Sequence, residues 1–206
     1  MRLLATLALL LSCPFLNGCR AADEPPATEP TTSPQVTLTV RMGGAGVLTV
    51  HQDVHFSEPS YSLSLSPDPP EISVGDEERF RPLITHVTAQ APGQPDQHVR
   101  RVDYDSRWVS FTEPVREVTL DYRMRGVMAH QRPSVPGRFL VYVTALSVGP
   151  VDGAERVVTV EGALNLGCLN GDGELDVCGR QTEDGWTVRL PPDRAATSVL
   201  AQVQAT

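Results

Sequence analysis

The chain has 206 residues and a formal net charge of −8 at pH 7, and all 17 of its basic residues are arginines. An acidic chain without a basic patch is a poor candidate for binding nucleic acid. The absence of lysine excludes mechanisms that need that side chain, such as a P-loop nucleotide site, a Schiff base or a Ser-x-x-Lys acyl-enzyme.

The first 18 residues have the pattern of an export signal. Arg2 is followed by the apolar run "LLATLALLL" (residues 3–11), which is shorter than the roughly 20 apolar residues that span a bilayer. The next segment, "LNGC" (residues 16–19), resembles the lipobox of bacterial lipoproteins. That resemblance implies cleavage before Cys19 and attachment of a diacylglyceryl group to its thiol. The alternatives are an ordinary secretory signal, or a lipobox that ends at Cys13.

Residues 19–35 carry the sequence "CRAADEPPATEPTTSPQ", which is rich in Pro, Thr, Glu and Ala and has no hydrophobic period. Such a composition predicts a flexible, disordered linker between the lipidated cysteine and a folded domain. We therefore expect a protein that is anchored to the cell membrane by its N-terminal lipid, on the extracytoplasmic side.

From residue 36 onward, apolar and polar residues alternate in short segments, which is typical of β-strands. The segments "VTLTVRM" (residues 36–42) and "VLTVHQDVHF" (residues 47–56) flank the turn sequence "GGAG" and predict a hairpin. The segment "SYSLSLS" (residues 60–66) predicts an edge strand. Further alternating segments are "PLITHVTA", "RWVSF", "EVTLDYRMRGVM", "RFLVYVTALSV", "RVVTVEGAL", "GWTVRL" and "SVLAQVQA".

No segment shows a helical period over three turns. Many short strands separated by turn residues favour an all-β fold, and residues 36–206 are long enough to enclose a core. The sequence therefore predicts a single antiparallel β-sandwich-like domain over residues 36–206.

One candidate site lies in the segment "HQDVH". His51, Asp53 and His55 fall on the same face of the predicted strand, because side chains repeat every second residue. Two side chains at that spacing could bind one metal ion, as in a metal-dependent enzyme or an extracytoplasmic hydrolase. The alternative is a solvated polar face, since no other segment supplies an evident third ligand. Glu117 and Asp121 are further carboxylates that could serve acid–base catalysis or solubility.

A second candidate site lies in "VDYDSRWVSF", which brings Tyr104 and Trp108 close together in sequence. Aromatic side chains of this kind contact proteins or stack on sugars when they are exposed. In a protein with so few aromatic residues, however, a place in the core is favoured over a binding role for both Trp108 and Trp186.

The segment "CLNGDGELDVC" (residues 168–178) combines two cysteines with turn residues. In an exported chain, Cys168 and Cys178 most simply form a disulfide. Asn170, Asp172 and Asp176 resemble part of an EF-hand or dockerin calcium loop, which would imply weak Ca²⁺ binding. However, Cys168 and Gly179 occupy the positions where carboxylate ligands should begin and close such a loop. A stapled tight turn is therefore favoured over a calcium site.

The sequence as a whole favours a non-catalytic binding or envelope-accessory module, with a protein or cell-envelope component as its partner and no required cofactor. The alternatives are an extracytoplasmic hydrolase or metal-dependent enzyme that uses His51, Asp53 and His55, and a calcium- or carbohydrate-binding module.

Overall fold

The computed structural model describes residues 33–68, 82–103, 105–130, 137–151, 153–170 and 173–204. The expected signal peptide, Cys19, most of the expected linker, Tyr104 and Asp172 lie outside the described residues. The strands are β1 (Gln35–Met42), β2 (Leu48–Pro67), β3 (Leu83–Gln90), β4 (Gln97–Val102), β5 (Arg107–Arg125), β6 (Met128–His130), β7 (Arg138–Tyr142), β8 (Leu146–Gly149), β9 (Glu155–Val160), β10 (Ala163–Leu169), β11 (Leu175–Cys178), β12 (Arg180–Thr182), β13 (Gly185–Leu190) and β14 (Val199–Gln204).

These strands form two sheets, which confirms the prediction of an all-β, sandwich-like fold. The large sheet has the order β12-β13-β9-β1-β2-β5-β3-β4, and β8 also pairs with β2. The small sheet has the order β11-β10-β14-β7-β6. One pair differs from the purely antiparallel prediction, because β1 and β9 are parallel. The chain between them passes through β2–β5 of the large sheet, β6 and β7 of the small sheet and then β8, and parallel pairing requires a long connection of this kind.

The hydrophobic core contains residues from both sheets. The predicted alternation of β1 is confirmed, since Val36, Leu38 and Val40 are buried while the residues between them are more exposed. Leu140 and Leu200 of the small sheet belong to the same buried cluster. Burying one face of each strand in this way is the main source of stability in a two-sheet fold.

The prediction of an edge strand over residues 60–66 is wrong. Those residues form the second half of β2, which lies between β5 and β8. A shift of register between His55 and Ser62 interrupts the pairing with β5. The backbone keeps its strand conformation through this irregularity, so β2 continues beyond it. Among the described residues, no helix is long and apolar enough to cross a membrane.

A single residue connects an edge of the small sheet to an edge of the large one. β11 ends at Cys178 and β12 begins at Arg180, so that only Gly179 lies between them. Gly179 has φ +77°, and a Cβ atom there would lie 2.5 Å from the carbonyl oxygen of Thr187. The connection therefore needs glycine both for its backbone conformation and for the close approach.

Candidate functional site

The large sheet presents a row of polar side chains that we call the His–Asp ladder. His51, Asp53 and His55 share one face of β2, as predicted from their spacing. The residues between them, Gln52 and Val54, are buried. Each ladder residue of β2 has a polar partner directly opposite on β5, and these partners are Asp121, Thr119 and Glu117.

His51 lies between two carboxylates of the ladder. Its Nδ1 atom is 2.9 Å from Oδ1 of Asp121, and its Nε2 atom is 3.5 Å from Oδ2 of Asp53. The other carboxylate oxygen of Asp53 accepts a hydrogen bond of 2.7 Å from the Thr119 hydroxyl. His55 lies farther from its partner, with 3.8 Å between Nδ1 and Oε2 of Glu117. The strand pairing thus brings His51 and His55 to carboxylates that lie 70 and 62 positions away along the chain.

These contacts limit what the ladder can do chemically. Among the described residues, no group of three or more His, Cys, Asp or Glu side chains is arranged to hold a metal ion. Both ring nitrogens of His51 face carboxylates, so a metal ion would have to displace one of them. The side chains of His51 and Asp121 are each about half exposed, and exposed ion pairs contribute at most about 1 kcal/mol to stability. The ladder is therefore an ordered hydrogen-bonding surface.

Two clefts adjoin the ladder. One, of about 360 Å³, is lined by Asp53, His55, Glu117 and Thr119, together with Gln90, Ala91 and Pro92 from the end of β3 and the loop after it. The other, of about 400 Å³, is lined by Thr39 and Arg41 of β1 and by Thr49, His51 and Asp121. Both clefts are at the exposed face of the large sheet, where a polar ligand could reach the ladder.

Trp108 is exposed, so the favoured prediction that it lies in the core is wrong. It lies near the start of β5, and 67% of its surface is accessible. Trp186 of β13 is partly buried and packs against the core. The exposure of Trp108 agrees with the hypothesis that it serves binding. Its expected companion Tyr104 lies outside the described residues.

The disulfide between Cys168 and Cys178 is present and confirms the stapled turn. It joins β10 to β11, which pair antiparallel. Within the turn, the Asn170 side-chain amide donates a hydrogen bond of 2.5 Å to Oδ2 of Asp176. That contact engages two of the three expected calcium ligands with each other, and Asp172 lies outside the described residues. The hairpin needs no ion to account for its described contacts.

The disulfide can be tested by mass. We expect the intact, non-reduced protein to be lighter than the reduced protein by two hydrogen atoms, because each sulfur loses one hydrogen when the bond forms. Mass spectrometry of protein purified from its native compartment, with free thiols alkylated before reduction, measures this difference. Alkylation of Cys168 and Cys178 without prior reduction would contradict the disulfide.

A polar network that the sequence did not reveal lies in the core. Gln52 is 2% exposed, and its Oε1 atom accepts a hydrogen bond of 2.8 Å from the hydroxyl of Tyr122 on β5. Burial raises the pKa of Tyr122 well above its ordinary value, and nearby Arg156 opposes that shift. Tyr122 is therefore a neutral hydrogen-bond donor at physiological pH.

Arg156 joins this network to the end of β2. Burial lowers the pKa of Arg156, and Tyr142, Asp68 and Tyr122 oppose the shift. Burial likewise raises the pKa of Asp68, which Arg156 opposes. The Tyr142 hydroxyl donates a hydrogen bond of 2.6 Å to the backbone oxygen of Asp68. Asp68 and Arg156 are only partly buried, and their attraction for each other offsets part of the cost of that burial.

No protein-family model matches the chain, and no curated protein matches it either. Among solved structures, the chain is similar to the crystal structure of an aminopeptidase N family protein from Idiomarina loihiensis, with 12% sequence identity and a TM-score of 0.51. The match covers 82% of this chain and 29% of that chain. At this identity the likeness concerns the fold alone. It shows that an all-β arrangement of this kind occurs as part of a longer protein.

Proposed function

We propose that the protein is a lipid-anchored, extracytoplasmic binding module without catalytic activity, which holds a protein or cell-envelope component near the membrane. Cys19 carries the lipid, and residues 19–35 connect it to the β domain. The support for the anchor is the resemblance of "LNGC" to a lipobox. A disulfide between Cys168 and Cys178 agrees with export to an oxidising compartment.

The observation that carries the binding role is the exposure of Trp108. Tryptophan is among the residues that contribute most to binding surfaces, and a large aromatic side chain left uncovered on a strand has no packing function there. By contrast, the ladder side chains that could have served catalysis make hydrogen bonds and ion pairs with one another. Binding through the sheet surface therefore accounts for more of the structure than catalysis does.

The anchor is tested by replacing the proposed lipidation site. We expect Cys19→Ser to move the protein from the membrane fraction to the soluble fraction, or to leave it as an unprocessed precursor, because the thioether can no longer form. Fractionation of the producing cells, followed by immunoblotting, measures this change.

Cys13→Ser is the matched control, since it removes the other cysteine of the signal segment and should leave membrane retention intact. Normal cleavage together with undiminished membrane retention of the Cys19→Ser protein would show that the anchor is wrong.

A further inference from the structure

Trp108 is surrounded by serines on three neighbouring strands. At this end of the large sheet, β2 lies between β5 and β8, with Ser64 opposite Trp108 on one side and Gly149 on the other. We call the surface formed by Trp108 and these small residues the serine platform. Its serines are Ser62, Ser64 and Ser66 of β2, Ser106 and Ser110 on either side of Trp108, and Ser147 of β8.

The alternation of the strands puts these side chains on the solvent side. Val109 and Phe111 of β5 are buried, as are Leu63 and Leu65 of β2, so Trp108 and Ser64 face the other way. At Gly149, a Cβ atom would lie 2.9 Å from the hydroxyl oxygen of Ser64. Glycine at position 149 leaves room for the Ser64 side chain, and no side chain projects from the platform at that position.

The indole ring has no large neighbour on the platform. The residues two positions before and after Trp108 along the chain are serines, and so is the residue directly opposite. In the part of the chain that the structure describes, the Trp108 side chain makes no hydrogen bond. Two platform hydroxyls lie 2.5 Å apart, those of Ser66 and Ser106. The ring is therefore uncovered and bordered by hydroxyl groups.

This combination points to one class of ligand. We propose that the serine platform binds a neutral glycan by stacking one pyranose ring on the Trp108 indole, with platform hydroxyls bonding to the sugar hydroxyls. One face of a pyranose ring is apolar C–H surface, which matches the indole, and its rim carries donors and acceptors that match serine. This inference rests on the proposed binding function and names the ligand for it.

The chemistry of the platform distinguishes a glycan from other partners. A protein contact centred on tryptophan usually has further apolar side chains around it, and the platform serines supply none. An anionic polymer would need arginines beside the ring. Arg107 alternates to the opposite side of β5 from Trp108, and its guanidinium lies 4.0 Å from an oxygen of Asp103. A neutral ligand therefore fits the platform better than a charged one.

The experiment uses the full mature chain, purified in a detergent without a sugar headgroup, and two neutral probes, cellohexaose and chitohexaose. The chain has two tryptophans, so Trp186→Phe leaves Trp108 as the only indole fluorophore. We expect its emission to shift to shorter wavelength and to saturate as either probe is added, because stacking removes water from the ring. We also expect Trp108→Ala to weaken binding by about tenfold or more in calorimetry.

Tyr61→Ala is the matched control. Tyr61 is 63% exposed on β2, and it occupies an odd position like Leu63 and Leu65, whereas the platform serines of β2 occupy even positions. Its replacement should leave the affinity for the probes unchanged. The Trp186→Phe, Trp108→Ala and Tyr61→Ala proteins should all keep the wild-type circular dichroism spectrum.

A further variant of the platform is Ser110→Leu. It fills the space beside the indole ring and should also weaken binding.

Three results would overturn the proposal. They are no emission shift with either neutral probe, equal affinity in the Trp108→Ala protein, and tighter binding of polygalacturonate than of both neutral chains. Retention on isolated cell envelopes separates this failure from failure of the proposed function, provided that the non-lipidated Cys19→Ser protein is used, because the lipid alone would hold the wild-type chain on membranes. Equal retention of the Cys19→Ser protein with and without Trp108→Ala would preserve a binding role and refute the platform, whereas no retention of either protein would refute the binding role itself.

Discussion

Replacing Tyr122 by alanine is expected to lower the free energy of unfolding by about 3–5 kcal/mol, as is typical when a large aromatic side chain is removed from a core. Tyr122 is 2% exposed on β5, which pairs with both β2 and β3. The substitution would also leave Gln52 without its buried hydrogen-bond donor. Since domains of this size are stable by about 5–15 kcal/mol, the loss should be visible in urea denaturation as a much lower midpoint with an unchanged slope.

Two control variants separate the contributions at Tyr122. Tyr122→Phe keeps the ring and removes only the hydroxyl, so it should cost about 1–3 kcal/mol for the unsatisfied Gln52. Tyr61→Ala removes an exposed tyrosine of β2 and should change stability by no more than about 0.5 kcal/mol. Equal, small effects of Tyr122→Ala and Tyr61→Ala would contradict the burial of Tyr122.

The second large effect is expected at the connection between the two sheets. Gly179→Ala should lower the free energy of unfolding by about 3 kcal/mol, because alanine is strained at φ +77° and its Cβ would clash with the backbone oxygen of Thr187. Thr187 belongs to β13 and is paired with both β9 and β12, so its backbone can move away only by disturbing that pairing. Chemical denaturation of the oxidised protein measures the change.

Gly93→Ala is the matched control for the backbone conformation alone. Gly93 has φ +71°, and a Cβ atom there would meet nothing within 4 Å. Its replacement should cost about 1 kcal/mol from strain. The difference in unfolding free energy between the Gly179→Ala and Gly93→Ala proteins measures the cost of the clash with the Thr187 carbonyl oxygen. If both cost the same, the sheets are not packed as tightly at this connection as described.

Several features could be predicted from the sequence because they depend on local spacing. The period of two placed His51, Asp53 and His55 on one face and marked β1 and β2 as strands. The same rule applied to "RWVSF" puts Trp108 and Ser110 opposite Val109 and Phe111, so the exposure of Trp108 was readable from alternation. The general frequency with which tryptophan is buried favoured a core position, whereas the local alternation predicts the exposed position that is observed.

The remaining features depend on how distant strands pair. His51 meets Asp121 because β2 and β5 are in one particular register, and that register shifts farther along the two strands. Gln52 stood on the apolar face between Val50 and Val54, which signals a buried polar group that needs a partner. Nothing local identified that partner as Tyr122. The serine platform likewise joins three strands, one of which follows far along the chain.

The parallel pair in the middle of the large sheet has a consequence for the order of folding. Gln35 of β1 pairs with Glu155 of β9, and the nearby ion pair between Arg41 and Glu161 closes 120 residues of chain. β1 therefore cannot pair with both β2 and β9 until the chain as far as β9 has been synthesised. Closing so long a loop before its contacts form is entropically unfavourable, which makes folding slow. A chain that is synthesised N-terminus first would thus complete this sheet only after β9 has emerged from the ribosome.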